Sequence, residues 1–275
     1  MTNNTAISRR CFIATASVAI VPIFLRGAGA AAQTVPASAG PADPALLEDL
    51  VAANRILAQQ GVLDGFGHVS VRHNRDPNRF LLSRSLAPEL VTREDIIEFD
   101  LDSNPVNAQG RALYSERFIH GEIYKVRPDV KSVVHNHSPS LIPYGVTGTP
   151  LRPVYHMAAF IGDRAPVFDI RKSSGMTDML VSDAAKGKAL AQTLGGGTCV
   201  LMRGHGVAVV GASILFSVGR SIYLELDARI QSQAAAFGGP VTYLDPEEAK
   251  KVIEAGENRG YERPWELWKA KALGK

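Results

Sequence analysis

The chain has 275 residues, of which 45% are hydrophobic and 21% are charged, and its formal net charge is +3. The positive excess comes from Arg9, Arg10 and Arg26, because residues 1–32 contain no Asp or Glu. Without these three arginines, 27 Lys and Arg residues remain against 27 Asp and Glu residues. The balance excludes a strongly basic nucleic-acid surface, so we expect a small-molecule substrate and no nucleic-acid partner.

Residues 1–32 have the pattern of an export signal. Ser8-Arg9-Arg10-Cys11-Phe12-Ile13 resembles the twin-arginine motif S-R-R-x-F-L, and small residues suited to cleavage follow at 28–32. The apolar stretch between them, residues 12–25, is shorter than the about 20 residues that a membrane span needs. We expect a periplasmic protein without a stable membrane span, or a cytoplasmic one if this segment is not a working signal.

The remaining chain is predicted to be a linker followed by one domain. Residues 33–42 are rich in Pro, Ala, Ser and Gly, and residues 43–275 contain no further linker. Asp43-Pro44 predicts the start of a helix that Gly61 ends. Apolar patterning predicts strands at 67–72, 79–83, 96–99, 166–170, 199–202 and 207–210, and helices at 182–194, 213–237 and from 245 onwards. Cys199, left alone once Cys11 is removed with the signal, is expected to be a buried strand thiol.

Two histidines follow an apolar pair in residues 131–139. Val133 and Val134 favour extended backbone, so His135 and His137 are expected on one face of a strand. Two such imidazoles can chelate a divalent metal, although paired histidines also occur as ordinary buried polar residues. His205 stands between two glycines and could complete an open site with three protein ligands.

A second group of residues lies upstream of these histidines. Ser115-Glu116 to His120 is expected to open a helix, with Ser115 as its N-cap and Glu116 in its first turn. His120 lies one helical turn after Glu116, and we interpret His120 as structural.

These motifs together resemble the class II aldolase/adducin family. Its pattern S-E-x-x-x-H, R-P-D-V, V-V-H-x-H-S and a distant H-G-V is matched at residues 115–120, 127–130, 133–138 and 205–207. The resemblance implies an α/β protein, a class II aldolase-like three-layer α/β/α fold with a central mixed β-sheet. It also implies a homo-oligomer, commonly a tetramer. It further implies Glu116 as the acid/base residue and a divalent metal, Zn²⁺ or another such as Mn²⁺, on His135, His137 and His205.

The loops around this site depart from those of the sugar-phosphate aldolases. Their G-N-x-S reads Gly67-His68-Val69-Ser70 here, and their small phosphate loop reads Ser83-Arg84-Ser85. Arg84 could clamp a substrate carboxylate instead of a phosphate, or it could be an exposed loop charge. The residues that we consider for substrate binding are His68, Ser83, Arg84, Ser85, Ser115 and His156.

The resemblance predicts a metal-dependent carbon–carbon lyase. The same loops also resemble those of the family's decarboxylases of hydroxylated aromatic dicarboxylates. We therefore expect decarboxylation of a hydroxylated (aromatic) carboxylic acid through an enolate whose oxygen the metal stabilises. Aldehyde-lyase cleavage of a hydroxy acid or sugar shares that intermediate and is the alternative. A non-catalytic adducin-like module is disfavoured, because Glu116 and the three histidines are present.

Overall fold

The computed structural model describes Met1, residues 35–257 and residues 261–274. Apart from Met1, the signal predicted at 1–32 lies outside the described residues, as do residues 33 and 34 of the predicted linker. The rest of that linker, residues 35–42, contains no helix or strand. Within the described ranges, no helix combines the length and the apolar character needed to cross a membrane.

A seven-stranded sheet forms the centre of the domain. Its order is β3-β2-β1-β4-β7-β6-β5, and every neighbouring pair is antiparallel except the parallel pair β5–β6. The predicted central mixed sheet is therefore confirmed. The strands are β1 (His68–Arg72), β2 (Arg79–Ser83), β3 (Ile96–Asp100), β4 (Ser132–Asn136), β5 (Val167–Phe168), β6 (Cys199–Met202) and β7 (Gly206–Gly211).

Helices begin and end close to where the sequence predicts them. Asp43 caps the first helix by accepting a hydrogen bond from the backbone N–H of Ala45, and Ser213 caps the longest helix through Phe216. Gly61 follows the first helix with a φ of 69°, a conformation that glycine adopts without strain. The helices are α1 (Pro44–Gln59), α2 (Arg117–Val126), α3 (Ile142–Val146), α4 (Arg171–Ser174), α5 (Ala184–Leu194), α6 (Ile214–Ala236), α7 (Pro246–Glu257) and α8 (Glu262–Ala272).

Helices cover the sheet on both faces, which makes the domain three-layered. Alternate strand residues belong to two separate hydrophobic clusters, as Val207 and Val209 do on one face and Ala208 and Val210 on the other. The first cluster is closed by α1, α6 and α8, and the second by α2 and α5. Strands buried on both faces explain why their sequences are continuously apolar.

The C-terminal helix docks on this layered core through its two tryptophans. Trp265 is 7% exposed within the first cluster, and Trp268 packs against that cluster. Lys269 Nζ lies 2.7 Å from Asp49 Oδ1 of α1. The last described helix is therefore part of the domain rather than an extension from it.

Strand register brings three strand ends together. His135 near the end of β4 lies opposite His68 at the start of β1 and opposite Ala208 near the start of β7. Because β1 and β7 are both antiparallel to β4, they begin where β4 ends. Val133 belongs to the cluster under α2 and α5, so His135, two residues on, faces the same side. The start of α2 lies over this edge of the sheet.

Candidate active site

The three histidines predicted as metal ligands converge on one point. His137 Nε2 lies 3.1 Å from His135 Nε2 and 3.1 Å from His205 Nε2. Strand β4 ends at Asn136, so His137 is the first residue beyond the strand rather than part of it. Ligands about 2.0–2.1 Å from a tetrahedral zinc ion lie about 3.3 Å apart, close to the spacing of these nitrogens.

Backbone carbonyls determine which nitrogen of two histidines carries the proton. His135 Nδ1 lies 3.1 Å from the carbonyl O of Val207, and His205 Nδ1 lies 3.1 Å from the carbonyl O of Met179. Because a carbonyl only accepts, each Nδ1 is protonated, and each Nε2 presents a bare lone pair. Two lone pairs directed at one point repel each other unless a proton or cation lies between them. The donor set therefore fits a divalent metal, which bare imidazole nitrogens bind.

Two glycines let the backbones approach closely enough to form this cluster. A Cβ atom on Gly206 would overlap the carbonyl O of Asn136, and one on Gly67 would lie 2.8 Å from the carbonyl O of His135. Gly67 also has a φ of 87°, which side chains rarely allow.

The loop after His137 is held by Glu225 of α6, which accepts hydrogen bonds from Ser138 and, at 2.6 Å, from Ser140 Oγ.

Glu116 completes the cluster from the start of α2. Its Oε2 lies 3.4 Å from His135 Nε2 and 3.4 Å from His205 Nε2, while its Oε1 accepts a 2.9 Å hydrogen bond from the backbone N–H of Val181. The four side chains offer ligand atoms that all lie within 4.8 Å of one another. The sequence prediction that Ser115 caps this helix is wrong, because Glu116 itself occupies the N-cap position and α2 begins at Arg117.

The histidines control the ionisation of Glu116. Burial alone would raise the pKa of this carboxyl, but the positive charge that His135 and His205 carry when protonated outweighs burial and holds its pKa well below the usual range. Burial, with His135 and His205, also lowers the pKa of His137 to about 4. At neutral pH the site therefore holds an ionised carboxylate and a neutral His137, which are the protonation states that bind a metal.

A cavity of about 520 Å³ opens in front of Glu116 and His137. Three of the six residues considered for substrate binding line it, namely His68, Ser85 and Ser115. Ser83 is fully buried, and its Oγ donates a 3.4 Å hydrogen bond to the Tyr114 hydroxyl. None of the described lining residues is Lys or Arg.

Arg84 does not join the cavity. Its Nε donates a 2.6 Å hydrogen bond to Asp95 Oδ1, and Asp95 also accepts hydrogen bonds from Thr92. The guanidinium therefore forms an ion pair with a carboxylate of the same chain in the described structure. This placement does not favour the role of substrate clamp that the sequence suggested for Arg84.

His156 also lies apart from the cluster. It is exposed at the start of a 3₁₀ helix, His156–Ile161, and lines a different cavity with Phe160 and Tyr261. The preceding segment is anchored by Asp227 of α6, whose Oδ1 accepts 3.0 Å hydrogen bonds from the backbone N–H groups of Val154 and Tyr155. Nothing in this placement brings His156 towards Glu116.

Asp227 is expected to make the protein less stable as the pH rises. Burial raises its pKa to about 6, and among the described residues its Oδ2 has no hydrogen-bond partner. Because the folded pKa exceeds the unfolded value of 3.8, the cost of ionising Asp227 appears between about pH 4 and pH 7. Relative to Asp227→Asn, the wild type should lose up to about 3 kcal/mol of unfolding free energy over this range, measured by urea denaturation. A difference that does not change with pH would contradict this.

Sequence reasoning missed several parts of the cavity wall. Tyr114 and Phe66 line the cavity, and Phe66 is 69% exposed with its ring 6.3 Å from the ring of His137. Each of them directly precedes a residue of a recognised motif, Gly67 or Ser115. Their positions next to these motifs could therefore have identified them as candidates. The segment 179–181 touches His205 and Glu116 through backbone atoms, which no residue-type pattern reveals.

Comparison with known proteins agrees with this fold. Residues 48–232 match the model of the family described as the Class II Aldolase and Adducin N-terminal domain. The chain therefore belongs to the class II aldolase/adducin family, and it is a carbon–carbon lyase.

Individual relatives include both decarboxylases and aldolases. The chain is 40% identical over 235 residues to decarboxylase tropJ of Talaromyces stipitatus, covering 78% of this chain and 88% of that one. It is 26% identical over 234 residues to a 3,4-dihydroxyphthalate decarboxylase of Arthrobacter keyseri, covering 79% and 90%. An L-fuculose 1-phosphate aldolase from Glaciozyma antarctica PI12 superposes with a TM-score of 0.69 at 25% identity, covering 86% and 96%.

Proposed function

We propose that this protein is a zinc-dependent decarboxylase of aromatic acids that carry a hydroxyl group ortho to the carboxylate. The observation that carries the proposal is the convergence of three imidazole nitrogens and the Glu116 carboxylate at a cavity with aromatic walls. The 40% identity to decarboxylase tropJ and the similarity to a 3,4-dihydroxyphthalate decarboxylase support the reaction type.

The cavity wall argues against a phosphorylated sugar as substrate. A phosphate group needs cationic side chains or a loop of free backbone N–H groups, and no described lining residue is Lys or Arg. In the lining loop, the N–H of Ser85 already donates to the carbonyl O of Ala112. The N–H of Leu86 already donates to the Tyr114 hydroxyl. Phe66, Tyr114 and Leu86 instead offer flat and apolar surface, on which an aromatic ring gains more than a polyhydroxylated sugar does. The cavity volume of about 520 Å³ is ample for a substituted benzene ring.

His135, His137 and His205 would hold the metal, and Glu116 would move the proton. When bound, the metal supplies a Lewis acid that neutralises negative charge on substrate oxygens. Glu116 is ionised before reaction, so it can take the proton of the ortho hydroxyl. When the carbon–carbon bond breaks, CO₂ leaves and the electron pair stays on the ring carbon, which takes up the proton held by Glu116. Solvent then reprotonates the ring oxygen, which completes the balance.

Zinc is the metal that we propose for this site. Three neutral imidazoles with room for a substrate oxygen are a common zinc arrangement, and zinc needs no redox partner. Manganese is the alternative, because imidazole ligands alone do not discriminate strongly among divalent metals. Metal analysis of the purified protein distinguishes the two.

Aldol cleavage of an unphosphorylated hydroxy acid or sugar is the second candidate. The overall similarity to an L-fuculose 1-phosphate aldolase favours it, and the same carboxylate and histidines would serve. The two reactions differ in the fragment that leaves, which is an aldehyde in one case and CO₂ in the other.

The proposed function is tested by measuring CO₂ release from metal-loaded protein. The panel contains ortho-hydroxylated aromatic mono- and dicarboxylates, including 3,4-dihydroxyphthalate, with 4-hydroxybenzoate as the matched acid that lacks an ortho hydroxyl. We expect release from at least one ortho-hydroxylated acid and none from 4-hydroxybenzoate. No release from any acid, with metal confirmed bound, would reject decarboxylation and direct the search to aldehyde products.

We further propose that the protein acts in the periplasm as a homotetramer. The twin-arginine-like pattern at residues 8–13 supports export of a folded protein, and the family resemblance supports the tetramer. Cell fractionation before and after replacing Arg9 and Arg10 with Lys tests the first point. Light scattering of the purified protein tests the second, and a monomer would contradict it.

A further inference from the structure

A series of buried hydrogen bonds leads away from the cavity behind His68. His68 Nδ1 lies 2.6 Å from His120 Nε2, and His120 Nδ1 lies 2.6 Å from Ser70 Oγ. Ser70 Oγ lies 2.8 Å from the Tyr124 hydroxyl. All four side chains are at most 3% exposed. We call this set of His68, His120, Ser70 and Tyr124 the buried polar network.

Only one end of the buried polar network reaches the active site. His68 lines the cavity, and its ring centroid lies 5.2 Å from that of His135 and 4.4 Å from that of Tyr114. Since Nδ1 of His68 is hydrogen-bonded to His120, the other ring nitrogen of His68, Nε2, is the one that can contact a bound substrate. Whether that nitrogen donates or accepts depends on the direction of every bond behind it.

Two directions give every proton of these groups an acceptor. In the first, Tyr124 donates to Ser70, Ser70 donates to His120 Nδ1, and His120 Nε2–H donates to His68 Nδ1. His68 then carries its proton on Nε2 and is a donor. In the second, every bond is reversed, Tyr124 must donate to the carbonyl O of Lys131, and Nε2 of His68 is bare.

The distances favour the first direction. Tyr124 lies 2.8 Å from Ser70 Oγ, the optimal length for a hydroxyl pair, but 3.5 Å from the carbonyl O of Lys131. The Arg72 guanidinium lies 4.6 Å from the centre of the Tyr124 ring. A cation at that position makes the phenol oxygen a poorer acceptor, which disfavours the second direction, in which Tyr124 accepts the proton of Ser70. Each hydroxyl in the first direction places its single proton in a short bond.

We propose that His120 is a positioning residue that fixes His68 as a hydrogen-bond donor, with Nε2–H directed at a substrate oxygen beside the metal. The substrate part of this assignment rests on the proposed decarboxylase function. A donor at His68 complements Glu116, which is an acceptor. His68 would then bind a carboxylate oxygen of the substrate, and Glu116 would bind its hydroxyl group. His120, which the sequence analysis interpreted as structural, would therefore also act on the substrate through His68.

The first test reads the position of the proton without any turnover. Zinc-loaded protein labelled with ¹⁵N-histidine is studied by long-range ¹H–¹⁵N NMR correlation, and the His68 signals are identified by their loss in His68→Gln. We expect protonated Nε2 and bare Nδ1 at His68. The opposite tautomer would overturn the proposal, whatever substrate the enzyme acts on.

A matched pair of variants separates proton direction from mere packing. Ser70→Ala and Tyr124→Phe each remove one hydroxyl from the buried polar network. In Tyr124→Phe, Ser70 still donates to His120, so the His68 tautomer should be unchanged and kcat/KM on 3,4-dihydroxyphthalate should stay within about threefold. In Ser70→Ala, His120 Nδ1 loses its donor, so His68 should show both tautomers and kcat/KM should fall about tenfold or more.

Replacements of His120 give an independent comparison. His120→Gln keeps an amide donor near the position of Nε2, whereas His120→Leu removes it at similar volume. We expect kcat/KM to fall about 10–100-fold in His120→Leu and to recover substantially in His120→Gln, with metal content unchanged in both. Equal losses in the two variants, or equal losses in Ser70→Ala and Tyr124→Phe, would overturn the proposal. If the wild type releases no CO₂ but His68 shows the expected tautomer, the decarboxylase function fails and the donor assignment stands.

Discussion

Replacing Glu116 with Gln is expected to lower the rate of CO₂ release by about 10²–10⁴-fold. The amide has nearly the same shape, and its oxygen can still accept the 2.9 Å hydrogen bond from the backbone N–H of Val181. It cannot take a proton from the substrate or return one to the ring carbon. Turnover should therefore fall while the bound metal, held by three imidazoles, stays at its wild-type amount.

The control for this experiment lies on the same helix. Glu122 is 6% exposed and pairs with Lys125 at 2.6 Å, so Glu122→Gln also neutralises a buried carboxylate of α2. We expect Glu122→Gln to keep most of the activity. Turnover of Glu116→Gln close to that of the wild type would rule out a proton-transfer role for Glu116.

Replacing His137 with Ala is expected to remove the metal and the activity together. His137 Nε2 is 3.1 Å from the corresponding atoms of both His135 and His205, so it stands between the other two ligands. His135, His205 and the Glu116 carboxylate would remain, but the nitrogen that lies between the two remaining imidazoles would be lost. The metal content after dialysis, measured by inductively coupled plasma mass spectrometry, should fall to less than about a tenth of one ion per chain, with CO₂ release below detection.

Thermal unfolding provides a second measurement of the same loss. A ligand that binds only the folded state raises Tm, by an amount that corresponds to about 2.7 kcal/mol at a concentration 100 times Kd. Added zinc should therefore raise Tm of the wild type and leave that of His137→Ala unchanged. His73→Ala, which removes a histidine 4% exposed outside the cluster, should keep the zinc response. Full activity of His137→Ala without bound metal would reject the metal site.

The order of the strands and of helices α1, α2, α5 and α6 was readable from the sequence, because local signals mark their ends, whereas the short helices α3 and α4 were not predicted. Asp43 and Ser213 are the N-caps of helices α1 and α6, and continuous apolar runs mark β6 and β7. Where a local signal competed with function, the prediction was wrong. Ser115 has the chemistry of an N-cap, but Glu116 takes that position with its carboxylate directed at the histidines.

The metal cluster could be predicted as a set of residue types, and the geometry brings those residues together. Imidazoles in a short repeat and a histidine between glycines have few other uses in combination. The residues around them were less predictable. Arg84 reads as a free cation in the sequence, but Asp95, eleven positions later in the chain, holds its guanidinium. His156 was considered for substrate binding, but it lines another cavity.

The sequence by itself identified the family, and the resemblance implied three histidines as metal ligands and Glu116 as the acid/base residue, because the motifs that carry a family resemblance are short and local in the chain. Only the tertiary structure decided what those side chains face. The register of β1 against β4 places His68 beside His135, and helix α2 packs so that His120 reaches His68. The carbonyls of Val207 and Met179 select the nitrogens that are free to bind a metal. Such contacts join residues far apart in the chain, through backbone atoms that every residue type shares, so they leave no pattern in the sequence.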